Sequence, residues 1–81
     1  MNVQEKYQRL ENTVRQYNPG ANFELIHSAF EFAEEHHRGQ NRKDGSPFVT
    51  HPLAVAQIVA EELHLDSESI AAALLHDTIE D

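Results

Sequence analysis

The last six residues of the sequence concentrate its acid–base and metal-binding side chains. His76 stands four residues before Glu80, and Asp77 stands four residues before Asp81. On a continuing helix, residues four apart are neighbours, so one imidazole and three carboxylates would share one stripe of the helix surface. Like charges there destabilise the helix, and the negative end of the helix dipole adds to that cost. A bound divalent cation would reverse the effect, so this segment is a candidate metal site.

Two interpretations of this acidic segment stay open at this point. One is a solvated acidic helix end, and the other is a metal site. The apolar pair Leu74-Leu75 comes directly before His76. We favour the metal site because this pair would lead the ligands out of a hydrophobic core.

A second histidine widens the candidate metal site. His51 lies in Thr50-His51-Pro52, at the start of a predicted helix. Taken alone, it is better explained as a capping or half-buried histidine. Together with His76 and Asp77 it would form a mixed His/His/Asp set, which suits Mn, Fe, Zn or Co better than Mg. The sequence has no cysteine, so a thiolate site is excluded.

A basic loop directly precedes His51. Arg38, Arg42 and Lys43 are three of the six cations of the chain, and the loop also contains Gly39 and Gly45. Guanidinium groups can stack on a base and bind phosphate, and glycines allow close approach. The loop therefore has the ingredients of a nucleotide site, although composition alone favours an ordinary polar surface loop.

Composition sets limits on the class of protein. The chain has 81 residues, 40% hydrophobic and 25% charged, which predicts one folded domain. Its net charge of −8 works against binding to nucleic acid or to anionic membranes. The longest apolar run, Ile70–Leu75, is too short to span a bilayer, and the first residues do not resemble a signal peptide. Without cysteines, the chain is expected to be cytoplasmic.

The hydrophobic periodicity predicts about four helices and no strands. Asn18-Pro19-Gly20 separates the first two helices, and a loop over residues 38–51 precedes the third. Pro52 is expected in the first turn of the third helix, and Asp66 or Ser67 is expected to cap the fourth. The predicted helices are residues 4–17, 23–37, 52–63, and 66 or 67 to at least 76.

The fourth predicted helix is apolar around its whole circumference. Ile70–Leu75 contains no polar residue, and such a helix is normally surrounded by other helices. Three earlier helices are too few to enclose it. We therefore expect either a fragment of a larger helical domain or a homo-oligomer that buries this helix against a second chain.

Two motifs in this order resemble one family. His37-Arg38-Gly39-Gln40-Asn41-Arg42-Lys43-Asp44-Gly45-Ser46-Pro47-Phe48-Val49-Thr50-His51-Pro52 resembles the opening motif of the RelA/SpoT-type (p)ppGpp hydrolase domain. His76-Asp77-Thr78-Ile79-Glu80-Asp81 resembles its HD and ED signature. The resemblance implies the N-terminal part of an all-α HD-superfamily bundle, with a helix and turn over residues 1–20 and the motifs on residues 23–81. It also implies hydrolysis of the 3′-diphosphate of guanosine tetra- or pentaphosphate, usually with Mn²⁺.

The resemblance assigns roles to seven positions. Its metal ligands match His51, His76 and Asp77, and its catalytic acidic pair matches Glu80 and Asp81. Its guanine-nucleotide contacts match Arg42 and Lys43. Retention of both acidic motifs argues against the branch of the family that has only synthetase activity.

The sequence departs from the family pattern at three points. Asp44 replaces a small hydroxyl residue and would weaken an anionic ligand, whereas Phe48 replaces the usual Tyr. The family also completes its metal site with a downstream Asp that this sequence does not reach, so we expect a partial domain with incomplete activity. Two alternatives stay open: an HD phosphohydrolase of another nucleotide, and a catalytically silent helical module that oligomerises through its fourth helix.

Overall fold

Four α-helices form the whole regular structure of the described chain. A computed structural model describes residues 2–78, with Asp77 described by its backbone alone. Across residues 2–78 there is no β-strand, and the one isolated bridge joins Asn41 to Pro47. This confirms the predicted all-α fold. The elements are α1 (Val3–Tyr17), α2 (Phe23–His36), α3 (Thr50–Leu63), α4 (Ser67–Leu75) and a 3₁₀ turn (His76–Thr78).

Side-chain caps begin three of the helices. The first N–H groups of a helix have no partner within the helix, and Asn or Asp supplies an acceptor. Asn2 accepts from the Glu5 N–H, and the Glu5 carboxylate accepts from the Asn2 N–H in return. Asn22 accepts from the Leu25 N–H at the start of α2, and Asp66 accepts from the Ser69 N–H at the start of α4. The capping box explains why α1 begins one residue earlier than predicted.

The third helix also begins earlier than predicted, at Thr50 and not at Pro52. The chain is already turning there: the Thr50 hydroxyl donates to the Pro47 carbonyl at 2.7 Å, and the His51 N–H donates to the Phe48 carbonyl at 3.0 Å. Pro52 still lies in the first turn, where its missing N–H costs nothing. His51 consequently lies on the helix and not in the loop.

One hydrophobic core lies between the helices. α4 packs against both α2 and α3, and α1 packs mainly against α3. The largest fully buried side chains come from all four helices: Leu10, Val14, Ile26, Phe30, Pro52, Ile70 and Leu74.

Hydrophobic spacing places Phe32 on the inward face of α2 and Leu63 on that of α3, and both predictions are wrong. Phe32 is 58% exposed and Leu63 is 63% exposed. Phe32 lies more than 100° around α2 from the buried Ile26, so it falls outside the apolar stripe. Leu63 is the last residue of α3, where the chain turns away through His64, a left-handed residue with φ of +49°.

The fourth helix is only partly enclosed by the described residues. Ile70, Ala71 and Leu74 are buried, whereas Ala72 is exposed. Leu75 lines an open apolar groove of about 500 Å³ together with α2. Burial of this helix against a second chain stays a prediction. No helix among residues 2–78 is long and apolar enough to cross a membrane.

Candidate metal and nucleotide site

Two of the predicted metal ligands lie side by side. His51 is in the first turn of α3, and His76 directly follows α4. Their ring centroids are 5.6 Å apart, with the ring planes at 61°, and both residues are half-buried. The packing of α3 against α4 therefore brings together two imidazoles that are far apart in sequence.

A backbone hydrogen bond fixes the ring of His76. Its Nδ1 lies 2.6 Å from the Ala73 carbonyl oxygen. A carbonyl can only accept, so this hydrogen bond requires the proton on Nδ1, and in the neutral imidazole the lone pair is then on Nε2. Metal-binding histidines commonly donate their second ring N–H to a carbonyl in this way. The tautomer of His76 is therefore the one that a metal requires at Nε2.

The end of α4 differs from the continuing helix that the sequence predicts. The α-helix stops at Leu75, and the chain tightens into the 3₁₀ turn. The Thr78 hydroxyl donates to the Leu75 carbonyl at 2.7 Å, which satisfies one of the last carbonyls of the helix.

The predicted carboxylates fall outside the described side chains. This applies to Asp77, to Glu80 and to Asp81, so the two four-residue spacings stay a prediction. Among the side chains that are described, no group of three His, Cys, Asp or Glu residues could hold a metal ion. The described donors are the two imidazoles, and nitrogen donors of this kind fit a transition metal better than Mg²⁺.

The basic loop is held in a tight hairpin-like turn. The Arg42 N–H donates to the Ser46 carbonyl at 2.8 Å, and the Gly45 N–H donates to the Arg42 carbonyl at 2.9 Å. Gly45 has φ of +91°, a conformation in which a side chain would be strained. These bonds hold Lys43 and Asp44 at an exposed tip.

A pocket opens at this tip. It has a volume of about 450 Å³ and is lined by Asn41, Arg42, Lys43, Asp44 and Phe48. Volumes of this size are typical of small-molecule sites. Both predicted nucleotide contacts thus line one pocket, together with the carboxylate of Asp44.

The charge of Asp44 is fixed by its neighbour. The Ser46 hydroxyl donates to Asp44 Oδ1 at 2.6 Å, and the Ser46 N–H donates to the same oxygen at 2.9 Å. These two hydrogen bonds hold the pKa of Asp44 below its ordinary value. At neutral pH the pocket therefore contains one carboxylate beside two cations.

Phe48 connects the pocket with the histidine pair. Its ring lines the pocket and lies 6.1 Å from the His51 ring, measured between centroids. On another side it packs at 4.6 Å against His37. A row of four rings therefore runs from His37 through Phe48 and His51 to His76.

His37, for which no site role is predicted from the sequence, is only 3% exposed. Its Nδ1 lies 3.2 Å from the Gln40 side-chain oxygen, and its Nε2 is buried with no hydrogen-bond partner among residues 2–78. In the sequence, only the three-residue spacing between His37 and Gln40 indicated that these side chains could contact each other. His37 then packs against the ring of Phe48.

Comparisons with known proteins give two kinds of match. A family profile described as HD domain matches residues 29–81. The chain is 49% identical over 67 residues to a "Probable GTP pyrophosphokinase" of Mycobacterium leprae, covering 83% of this chain and 8% of that protein. It is 48% identical to the "Bifunctional (p)ppGpp synthase/hydrolase RelA" of Mycobacterium tuberculosis, covering 83% and 9%. It is also 48% identical to the "GTP pyrophosphokinase rsh" of Brucella melitensis, covering 84% and 9%.

These relatives are much longer proteins. The chain spans less than a tenth of the length of each of these three. The HD domain profile nevertheless matches more than half of the chain, and residues 29–81 include the basic loop and both histidines of the pair. The chain therefore belongs to the HD domain family, as part of the HD region of RelA/SpoT-type proteins.

Proposed function

We propose that this chain is part of a metal-dependent hydrolase domain that removes the 3′-diphosphate from guanosine tetra- or pentaphosphate. The observation that carries the proposal is the His51–His76 pair, linked through Phe48 to the pocket that contains Arg42 and Lys43. A metal site beside a cationic pocket is what hydrolysis of a nucleotide diphosphate requires.

Three residues would hold the metal: His51, His76 and Asp77. Mn²⁺ is the proposed ion; when bound, it supplies Lewis acidity and lowers the pKa of water. The Ala73 carbonyl orients His76 for this task. Glu80 and Asp81 would orient the attacking water and take up its proton, as general acid–base groups do.

The loop would hold the nucleotide. The planar guanidinium of Arg42 can stack on the purine, and the ammonium of Lys43 is a compact, positively charged donor beside it. Both side chains are exposed at the pocket, so a ligand can reach them without opening the fold. The row of rings then sets the distance between the bound base and the histidine pair.

We prefer hydrolase activity to synthase activity for this chain because of the two histidines, His51 and His76. The printed name of the Mycobacterium tuberculosis relative includes both a synthase and a hydrolase. A histidine whose tautomer is fixed for metal binding supports the hydrolase, because hydrolysis needs an activated water.

Titration calorimetry with Mn²⁺ tests the metal site. We expect saturable binding by the chain and its loss in His51→Ala and His76→Ala. His27→Ala is the matched control, because His27 lies on the exposed side of α2, and it should bind as the parent chain does. Equal binding by all four proteins would refute the metal site.

A second titration tests the nucleotide pocket. Guanosine tetraphosphate should bind the chain, and the double variant Arg42→Ala, Lys43→Ala should bind it at least about tenfold more weakly, which corresponds to about 1.4 kcal/mol. Lys6→Ala with Arg9→Ala is the control, because it removes two cations from α1 and leaves the loop intact. If the two double variants bind alike, the nucleotide site is wrong.

A further inference from the structure

We propose that Asp44 is a specificity-determining residue that selects guanine by accepting a hydrogen bond from the N1–H or N2–H group of the base. The inference rests on the proposed function, because it assumes that the pocket at the loop tip takes a purine nucleotide. It concerns one of the three points at which this sequence departs from the family pattern. The carboxylate lines the same pocket as Arg42 and Lys43.

The geometry of Asp44 leaves one oxygen for a ligand. Ser46 donates two hydrogen bonds, and both go to Oδ1. No hydrogen bond described for residues 2–78 uses Oδ2. The turn closed by Gly45 and Arg42 fixes the backbone on both sides of the carboxylate. Oδ2 is therefore an acceptor held in place before a ligand arrives, which reduces the entropy lost on binding.

A carboxylate distinguishes the purines by their hydrogen-bonding edges. Guanine presents two donors, N1–H and N2–H, next to its O6 acceptor, whereas adenine presents one amino donor beside the N1 lone pair. An ionised carboxylate can only accept, so it is attracted by the donor-rich edge and repelled by the lone pair. Its hydrogen bond to guanine is also charge-assisted and hence stronger than a neutral one.

The neighbouring side chains fit this assignment. Asn41 also lines the pocket, but an amide both donates and accepts, so it would accept either purine. Lys43, next to Asp44 in sequence, can donate to O6 but not accept. The cation and the carboxylate together match the acceptor and donors of guanine.

The charge of Asp44 also sets the direction of the nucleotide. A phosphate beside this carboxylate would be repelled, and the exposed site screens the repulsion only in part. The favoured orientation therefore places the base toward Asp44 and the diphosphates toward the histidine pair. The substitution of a hydroxyl residue by Asp then costs little phosphate affinity and adds selection for the base.

Equilibrium binding of four nucleoside diphosphates tests the inference. The probes are GDP, IDP, which lacks the N2 amino group, XDP, which carries a C2 carbonyl in its place, and ADP. The variant Asp44→Asn keeps an oxygen that can accept from Ser46 but offers an amide donor in place of one acceptor. The matched control Glu62→Gln makes the same charge change on the exposed side of α3.

We expect the parent chain to bind GDP about tenfold or more tightly than ADP, with IDP between them. Asp44→Asn should lose this preference and bind XDP more tightly than the parent does, whereas Glu62→Gln should leave the order unchanged. Thermal unfolding followed by circular dichroism should show equal stability of the two variants.

The outcomes separate the two proposals. If Asp44→Asn binds GDP and XDP as the parent does, while Arg42→Ala still weakens GDP binding, the role of Asp44 is refuted and the nucleotide site stands. If the parent chain binds none of the four probes, or Arg42→Ala changes nothing, the nucleotide site itself fails and the inference fails with it.

Discussion

Leu74 tests whether the core of this chain supports its candidate site. The side chain is fully buried in the core cluster, two residues before His76. Leu74→Ala removes three carbon atoms, which at roughly 0.8 kcal/mol per buried methylene gives about 2.4 kcal/mol. The cavity left behind adds to this value, so the expected loss is about 2–5 kcal/mol.

This loss is large for a chain of this length. At roughly 0.05–0.15 kcal/mol per residue, an 81-residue domain has a free energy of unfolding of about 4–12 kcal/mol. Urea unfolding followed by circular dichroism measures the change in the free energy of unfolding. The midpoints can be compared directly if the m-value is the same in both proteins. Leu63→Ala is the matched control, because it makes the same change at a side chain that is 63% exposed. It should cost less than about 0.5 kcal/mol beyond helix propensity.

Equal losses in Leu74→Ala and Leu63→Ala would refute the core as described. The histidine pair supplies a second readout. Because His76 follows α4 directly, loosening α4 should weaken Mn²⁺ binding by Leu74→Ala and leave it unchanged in Leu63→Ala. Retained metal affinity in a strongly destabilised Leu74→Ala would show that α4 does not position His76.

Two further predictions concern local interactions. Asn22→Ala removes the acceptor for the Leu25 N–H at the start of α2 and should cost about 1 kcal/mol in urea unfolding; Asn12→Ala, in an exposed part of α1, is the control, and an equal effect would contradict the cap. Burial and the hydrogen bond to Glu11 raise the pKa of Tyr7 above its ordinary value of 10.0. Its native phenol therefore stays protonated while the unfolded one ionises, so stability should fall as pH rises above about 10. Tyr7→Phe should flatten this fall without abolishing it, because burial raises the pKa of Tyr17 in the same direction; an unchanged slope would contradict the assignment.

Helix interiors followed from hydrophobic spacing, and helix ends did not. The buried residues Tyr7, Leu10 and Val14 repeat at the spacing that predicts an amphipathic helix. The start of α3 was missed by two residues because the bonds from Thr50 to Pro47 depend on how the preceding loop folds. The exposure of Phe32 was not predicted, because hydrophobic spacing alone does not show whether a residue at the edge of the apolar stripe is buried.

The site was accessible from the sequence to different degrees. Motif and spacing identified His51 and His76, but only the packing of α3 against α4 could show that their rings meet. His37 was missed because its burial results from the turn that brings Phe48 over it. The carboxylate spacings of the last residues stay predictions, since Glu80 and Asp81 lie outside the described residues.

The names of the relatives do not decide between synthesis and hydrolysis at this site. Each name describes a whole protein of which the chain spans less than a tenth, so it does not assign an activity to these residues. The local arrangement is more specific. The hydrogen bond from His76 Nδ1 to the Ala73 carbonyl fixes the orientation of the ring. A fixed ring favours metal binding through the Nε2 lone pair. The row of rings places the histidine pair near the pocket at the loop tip, and the proposed hydrolysis of a nucleotide diphosphate would use this proximity.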